Sequence, residues 1–358
     1  MSSRPTVYLR RVPLGEPASW PHAVESLLDA SGLLADLVEP EAEVAIKVHV
    51  GEPGVATALP AVVAGAAAGK VRALGGRPFF TDTAVLYGGP RSTGVGHAEV
   101  AAKHGFTLED AGAIFVPADG MLGNLEIEVA VDGRHYASVG VAEAVAEANA
   151  MLVVSHATGH LLSGFGATLK NIGMGCSSKK GKLLQHSETK PFVKQDLCGS
   201  CGLCVVHCPT GALSLNGGPA RIDESLCSGC GECLAQCRSG AIGFRWDIGP
   251  ATMQEKMVEH ALGTIRSLDG KLLYLTGIVN VTQHCDCLPS GSPVIASDVG
   301  FALSSDPVAL DQATVDLVEE VAGTRLDRLA FPHLDGSVQL AYAEQLGLGS
   351  REYELSVL

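Results

Sequence analysis

The chain has 358 residues, of which 46% are hydrophobic and only 5% aromatic, and its formal net charge is −14. This length allows two domains or one large α/β domain with an insertion, and the low aromatic content requires a mostly aliphatic core. The acidic balance argues against a general nucleic-acid role, because no basic face is available to neutralise phosphates.

Short apolar runs alternate with helical patterns in the first half of the chain. Strands are predicted at residues 6–12, 43–50, 77–83, 113–119 and 150–156, and helices at 22–37, 57–74 and 141–149. Residues 125–139 read differently and predict a β-hairpin around Asp132-Gly133. Strands separated by helices of this length indicate βαβ units and a largely parallel sheet.

The composition changes at about residue 192, and the chain is dense in Cys and Gly up to about 247. The α/β pattern then returns, with helices predicted at 252–267 and 307–322 and strands at 271–281 and 293–305. The fold class is therefore α/β. We expect a mostly parallel-sheet body, residues 1–191 and 248–358, with an inserted α+β domain at 192–247.

Eleven cysteines are present, most of them at metal-ligand spacing, which indicates a reducing compartment and thiols that act as ligands. No apolar stretch has the length of a signal peptide or a membrane span. We expect a cytoplasmic protein without a membrane or nucleic-acid partner.

The inserted segment contains two cysteine runs, C-G-S-C-G-L-C-V-V-H-C-P (198–209) and C-S-G-C-G-E-C-L-A-Q-C (227–237). Each has the spacing C-x2-C-x2-C-x3-C, in which three thiolates surround one [4Fe-4S] cluster and the fourth reaches the other cluster. The first predicted ligand set is Cys198, Cys201, Cys204 and Cys237. The second predicted set is Cys227, Cys230, Cys233 and Cys208. Two zinc sites are the alternative, although this spacing suits a cubane better.

The insert closely resembles a bacterial two-cluster ferredoxin, including P-T-G-A-L (209–213) and S-G-A-I (239–242). Arg238 departs from that family, which usually has Pro after the last cysteine. This difference bears on the cluster environment and potential and leaves the ligands unchanged.

The flanking sequence resembles the ferredoxin-containing branch of the "domain of unknown function 362" family. The resemblance rests on segments that occur in order along nearly the whole chain. They are V-A-I-K-V-H-V-G-E (44–52), H-A-T-G-H-x5-F-G-A-T-L-K-N-I-G-M-G-C (156–176), G-K-L-L-Q-H (181–186), the two-cluster insert, C-D-C (285–287) and D-P-V-A-L-D-Q-A (306–313). The resemblance implies an α/β body, iron–sulfur content and a redox role, without a settled reaction.

Three cysteines remain after the eight of the insert: Cys176, Cys285 and Cys287. Each follows an apolar strand-like run, and ligand sites form at the carboxyl ends of strands in open α/β sheets. We therefore predict a third cluster, with one iron open or weakly held by His284, Asp286, His186 or solvent. A Cys3His zinc site and incidental buried thiols are the alternatives.

Lys170 lies in the glycine-rich stretch before Cys176, where an ammonium group and backbone N–H groups can hold an anion. His156 and His160 are candidates for proton transfer, with a structural role as the alternative. Lys179, Lys180 and Lys182 form a basic group that is either a solvated turn or a site for an anion. Lys47 and His49 end a predicted strand and face the same side.

These residues predict an iron–sulfur oxidoreductase that reduces a small, anionic organic substrate. Electrons would enter the insert from an external low-potential donor, a ferredoxin or a reductase, because no flavin or nicotinamide fingerprint is present. Two alternatives remain. One is an electron-transfer protein that docks a partner enzyme, and the other is a non-redox hydratase or dehydratase that uses an open cluster iron as a Lewis acid.

Overall fold

An eight-stranded sheet forms the centre of the body in the computed structural model, which describes residues 4–188, 190–288 and 292–358. The strands in chain order are β1 (Thr6–Arg11), β2 (Glu43–Lys47), β3 (Arg77–Asp82), β4 (Phe115–Pro117), β5 (Glu126–Ala130), β6 (Ser138–Ala142), β7 (Ala150–His156), β8 (Thr158–His160), β9 (Gly164–Gly166), β10 (Phe192–Val193), β11 (Leu213–Ser214), β12 (Arg221–Ile222), β13 (Ile242–Gly243), β14 (Leu272–Ile278), β15 (Gly300–Ser304) and β16 (Glu354–Val357). The order in the large sheet is β16-β1-β15-β14-β7-β2-β3-β4.

Helices cover both faces of this sheet. In chain order they are α1 (Trp20–Ser31), α2 (Leu33–Leu37), α3 (Ala61–Ala73), α4 (Gly94–Lys103), α5 (Glu143–Ala146), α6 (Thr168–Gly173), α7 (Lys179–His186), α8 (Leu203–Val206), α9 (Glu232–Gln236), α10 (Pro250–Ser267), α11 (Pro307–Ala322), α12 (Leu326–Ala330) and α13 (Ser337–Gln345). One apolar core lies against α1, α3 and α4, and the other against α6, α10, α11 and α13. The body is therefore a three-layer α/β arrangement. None of the helices in the described part of the chain is both long and apolar enough to cross a membrane.

The sheet is mostly parallel, as the sequence predicts. The pairs β14–β7, β7–β2, β2–β3, β3–β4 and β1–β16 are parallel. Strand β15 is the exception and runs antiparallel to both β1 and β14. The connection from β14 to β15 has no helix in its described residues, 279–288 and 292–299, and a parallel return needs a crossover connection. The central strands β7 and β14 are apolar along almost their whole length because both faces are covered.

Most predicted elements form near their predicted bounds, with three local differences. The strand predicted at 293–305 is only the five-residue β15, which begins at Gly300. The helix predicted at 22–37 is divided at Gly32, whose φ of 72° ends α1 in the left-handed region. The helix predicted at 141–149 is only the four-residue α5, because β6 continues to Ala142 to complete the predicted hairpin with β5.

Residues 192–247 form a small unit on the body. Its strands pair as β10 with β13 and β11 with β12, and two short helices, α8 and α9, lie between them. The apolar core of this unit includes cysteine side chains, and it extends to Leu86 and Leu183 of the body.

Candidate functional site

The carboxyl ends of β2, β3, β7 and β14 meet at one edge of the sheet, where the sequence predicts a ligand site. Lys47 ends β2, Asp82 ends β3 and His156 ends β7. The loop that carries Cys285 and Cys287 follows β14. This edge therefore collects polar side chains from segments that are distant in sequence.

A buried ionic network lies beneath this edge. Lys47 Nζ is 2.9 Å from Asp82 Oδ1, and Arg91 bonds to Asp82 Oδ2 at 3.1 Å and to Glu52 Oε1 at 2.9 Å. Each of the four side chains is at most 3% exposed. Burial alone raises the pKa of Asp82, but Lys47, His97 and Arg91 together hold it well below its ordinary value. The network contains equal numbers of cations and anions, so its charges neutralise one another.

Asn171 connects this network to helix α6. Its side-chain oxygen accepts a hydrogen bond from Lys47 Nζ at 2.7 Å, and its amide nitrogen donates to Val154 O at 3.0 Å. The amino end of α6 is held from another direction, because the carboxylate of Asp311 accepts from the N–H groups of Thr168 and Leu169 at 2.8 Å each. Helix α6 is thus held by strand β7 on one side and by helix α11 on the other. Lys170 belongs to α6, so the position of its backbone is fixed as well.

Lys170 is partly buried, and its ammonium has no hydrogen-bond or ion-pair partner among the described residues. Burial lowers its pKa to about 8, and the nearby carboxylate of Asp286 opposes that shift. A cation in this position is available to an anionic ligand, because a buried charge is costly until it is paired. This is the role that the sequence predicts for Lys170.

Both ring nitrogens of His156 have a hydrogen-bond partner. Its Nδ1 is 2.7 Å from Asp286 Oδ2, and its Nε2 is 2.8 Å from Val279 O. Both partners are acceptors, so the ring is an imidazolium. Burial acts to lower its pKa, and Asp286 outweighs burial, so that the net pKa is raised. The second oxygen of Asp286, Oδ1, is buried and lacks a partner among the described residues.

His160 is neutral in this environment. Its Nδ1 accepts from the Ser163 N–H at 3.1 Å, which assigns the ring proton to Nε2. The Ser163 hydroxyl lies 2.9 Å from Nδ1 and donates to Phe165 O at 2.7 Å. Burial, and then the charge of Lys170, lower its pKa well below the ordinary value. His160 therefore lies near Lys170 but is organised as an acceptor within its own loop.

The eight cysteines of the insert line two separate cavities. The first cavity contains Cys198, Cys201, Cys204 and Cys237. The second contains Cys208, Cys227, Cys230 and Cys233. These are the two crossed sets that the spacing predicts, each with one cysteine from the other run.

The surroundings of both cavities fit a group with a cationic metal core. Burial, and then Cys237, Cys198 and Cys201, raise the pKa of Cys204. Burial, and then the neighbouring thiols, raise the pKa of Cys233 to about 12. Against the opposing effect of burial, hydrogen bonds with Thr210 and Ser239 lower the pKa of Cys208 and Cys237. The thiolate is the form of cysteine that ligates a metal. Backbone N–H groups also point at sulfur, from Ala220 to Cys198 at 3.3 Å and from Ala241 to Cys237 at 3.2 Å.

The three remaining cysteines are arranged differently from the predicted third cluster. Cys285 and Cys287 are joined to each other in a disulfide. Cys176 is fully buried in the core, where its thiol contacts Asn171 O at 3.8 Å and burial raises its pKa to about 12. Within residues 4–188, 190–288 and 292–358, no three His, Cys, Asp or Glu side chains form a single-ion site. As placed, these three cysteines do not fit a shared metal centre.

Helix α7 joins the insert to the body. Gly231 of the insert faces Leu183 so closely that a Cβ would lie 2.7 Å from its side chain. Lys180 pairs with Glu126 at 2.8 Å and reaches Glu232 at 3.5 Å, and Asn124 donates to Glu232 at 3.1 Å. The basic residues of α7 therefore hold the insert and the adjacent loops, in place of the solvated turn considered above.

Sequence reasoning missed several residues of this edge: Glu52, Tyr87, Arg91 and Asp286 as a partner of His156. Glu52, Tyr87 and Arg91 lie in loops after β2 and β3, where no periodicity marks them. Asp286 had a visible signal, because it stands between two cysteines at the end of a buried strand.

Comparison with known proteins gives a family match and a weak structural likeness. The family described as "Domain of unknown function (DUF362)" matches residues 44–316. No curated protein matches the chain. Among solved structures, the lactate racemase apoprotein from Thermoanaerobacterium thermosaccharolyticum has a TM-score of 0.42 and 12% identity, over 88% of this chain and 57% of that chain. The chain thus spans less than two thirds of that protein, and this likeness carries no argument about function.

Proposed function

The chain belongs to the family of the domain of unknown function 362, and we propose that it is an iron–sulfur oxidoreductase of the branch that contains an inserted two-cluster ferredoxin unit. The observation that carries the proposal is the sorting of eight cysteines into two four-cysteine cavities. Each cavity takes three cysteines from one run and the last cysteine of the other, as two adjacent cubanes require. Clusters bound there would take up and pass on single electrons.

The body supplies the place where those electrons are used. The carboxyl edge of the sheet brings Lys170 and the His156–Asp286 pair to one side of the buried ionic network. Lys170 holds the anionic group of a small organic substrate, and the His156 imidazolium lies near it as a proton source. The external donor is a low-potential ferredoxin or reductase, and the compartment is the cytoplasm.

A third cluster at Cys176, Cys285 and Cys287 stays a prediction. It requires a reduced Cys285–Cys287 pair and a Cys176 side chain that leaves the core, whereas the thiol now packs against Asn171. Hydration or dehydration at an open iron depends on the same centre, and it has no separate support.

An electron-transfer protein that docks a partner enzyme is the second candidate. It is favoured by large apolar side chains that are exposed beside the cysteine runs: Val206 is 80% exposed, Leu226 53% and Leu197 47%. A protein of this class would bind no small anion at Lys170, so ligand binding separates the two candidates.

Metal analysis of anaerobically purified protein tests the proposal. We expect about eight irons and eight sulfides per chain. Replacing Cys201 by Ala removes a ligand of the first cavity alone, and the electron paramagnetic resonance signal of a coupled cluster pair is then lost. Replacing Cys176 by Ala is the matched control and leaves about eight irons. Two zinc ions per chain without sulfide contradict the proposal.

A further inference from the structure

The Cys285–Cys287 disulfide lies in the loop that follows β14, at the carboxyl edge of the sheet described above. Both cysteines are partly exposed, and Asp286 between them is bonded to His156. The backbone of the same turn is held in place, because Asp286 O accepts from Glu52 N at 3.1 Å and Leu288 N donates to Cys285 O at 3.0 Å. The sulfur atoms therefore occupy a fixed position beside the proposed substrate site.

A two-residue segment connects this pair to the insert. Leu86 packs in the apolar core that contains Cys204, Cys233 and Leu234 of the insert. The next residue, Tyr87, donates its hydroxyl proton to Glu52 Oε1 at 2.6 Å, and the same hydroxyl oxygen lies 3.3 Å from Cys287 O. Two consecutive residues therefore contact both regions: Leu86 packs in the cysteine-containing core of the insert, and Tyr87 lies against the backbone of the disulfide turn.

We infer that the Cys285–Cys287 pair is a redox-active disulfide that accepts electrons through the insert. Reduction breaks the sulfur–sulfur bond and forms two thiols, with the uptake of two electrons and two protons. The electrons come one at a time from a low-potential one-electron donor, and the protons come from water. The pair collects two single electrons so that the site can complete a two-electron reduction.

This inference rests on the proposed function, because it needs the insert to carry electrons. A redox-active disulfide is an alternative to the predicted third cluster as the role of Cys285 and Cys287. The disulfide and the third cluster predict different numbers of irons, accepted electrons and thiols per chain. A disulfide adds two electrons and no iron, whereas a third cubane adds about one electron and four irons.

Anaerobic reductive titration of the whole protein with dithionite tests the inference. Wild-type protein is expected to take up about four electrons per chain, about two for the clusters and two for the disulfide. The C285S/C287S variant is expected to take up about two and to keep about eight irons. The Cys176→Ala variant is expected to match the wild type in both quantities.

Thiol counting gives a second measurement that does not depend on a variant. Protein denatured in acid and alkylated without reductant is expected to label nine cysteines, the free ones of the structure. Protein first treated with dithionite and then alkylated is expected to label all eleven.

Four results overturn the inference. Eleven thiols before any reduction show that no disulfide exists, and about twelve irons with three electrons show a third cluster. Equal electron uptake by the wild type and C285S/C287S, with eight irons present, leaves the proposed function intact and removes only the disulfide role. Absence of iron and sulfide instead removes the proposed function, and with it the electron path.

Discussion

Lys170 gives the clearest test at the scale of single residues. Its ammonium has no partner among the described residues, and burial lowers its pKa to about 8. The charged form predominates below that pH and is lost above it. We therefore expect binding of acetate, which stays ionised in this range, to be nearly constant between about pH 6 and 7 and to weaken about tenfold per unit above pH 8.

Titration calorimetry at several pH values measures this dependence, and two substitutions provide the comparison. Lys170→Met should remove the binding without a change in iron content. Lys170→Arg keeps its charge at high pH, so its affinity should no longer fall above pH 8. An unchanged affinity in Lys170→Met would remove this residue from the site.

Single residues also show how much of the candidate site can be predicted from the sequence. His156 and the C-D-C pair were selected because each follows an apolar strand-like run, and Lys170 because it lies in the glycine-rich stretch before Cys176. Arg91 was not predictable, because its partners Asp82 and Glu52 meet it only after two separate strands have aligned. Buried ion pairs depend on tertiary geometry, which local periodicity does not encode.

At the scale of elements, helix α7 is the structural connection between the insert and the body. Leu183 is 2% exposed and belongs to the same apolar core as Cys204 and Leu234. Leu183→Ala should cost about 2–5 kcal/mol of packing free energy. Because the loss lies at the junction, we expect faster amide exchange in residues 231–236 with little change in iron content.

Hydrogen–deuterium exchange with mass spectrometry measures that change. Val206→Ala is the matched control, since this side chain lies in the insert and is 80% exposed. Its exchange should remain close to that of the wild type. Equal protection in Leu183→Ala and the wild type would contradict a structural role for this contact.

Individual strands also show which features of the fold can be predicted from the sequence. The alternation of strands with helices predicted a mostly parallel sheet, which the structure confirms. The continuously apolar runs of β7 and β14 fit their central places, where both faces are covered. The direction of β15 was not predictable in the same way. Its apolar run is compatible with either orientation, and the connection from β14 decides the direction.

At the scale of the whole molecule, the formal charge of −14 is unevenly distributed. Residues 192–247 contain four basic and five acidic side chains, so nearly all of the excess negative charge lies on the body. The cysteine spacing predicts an inserted unit at 192–247, and the contacts of these residues with α7 emerge only from the folded chain. A small donor that approaches the insert therefore meets the field of an acidic body beside a nearly neutral surface.

This asymmetry predicts opposite salt effects for donors of opposite charge. Attraction to an acidic protein is strong at low salt, where the screening length is about 30 Å at 0.01 M, and weak at 0.15 M, where it is about 8 Å. Reduction by the cationic methyl viologen radical should therefore slow as salt is added, and reduction by the dianion dithionite should accelerate. Stopped-flow absorbance of the iron–sulfur chromophore measures both rates in the same buffers. If both donors respond in the same direction, the net charge of the body does not govern how electrons reach the insert.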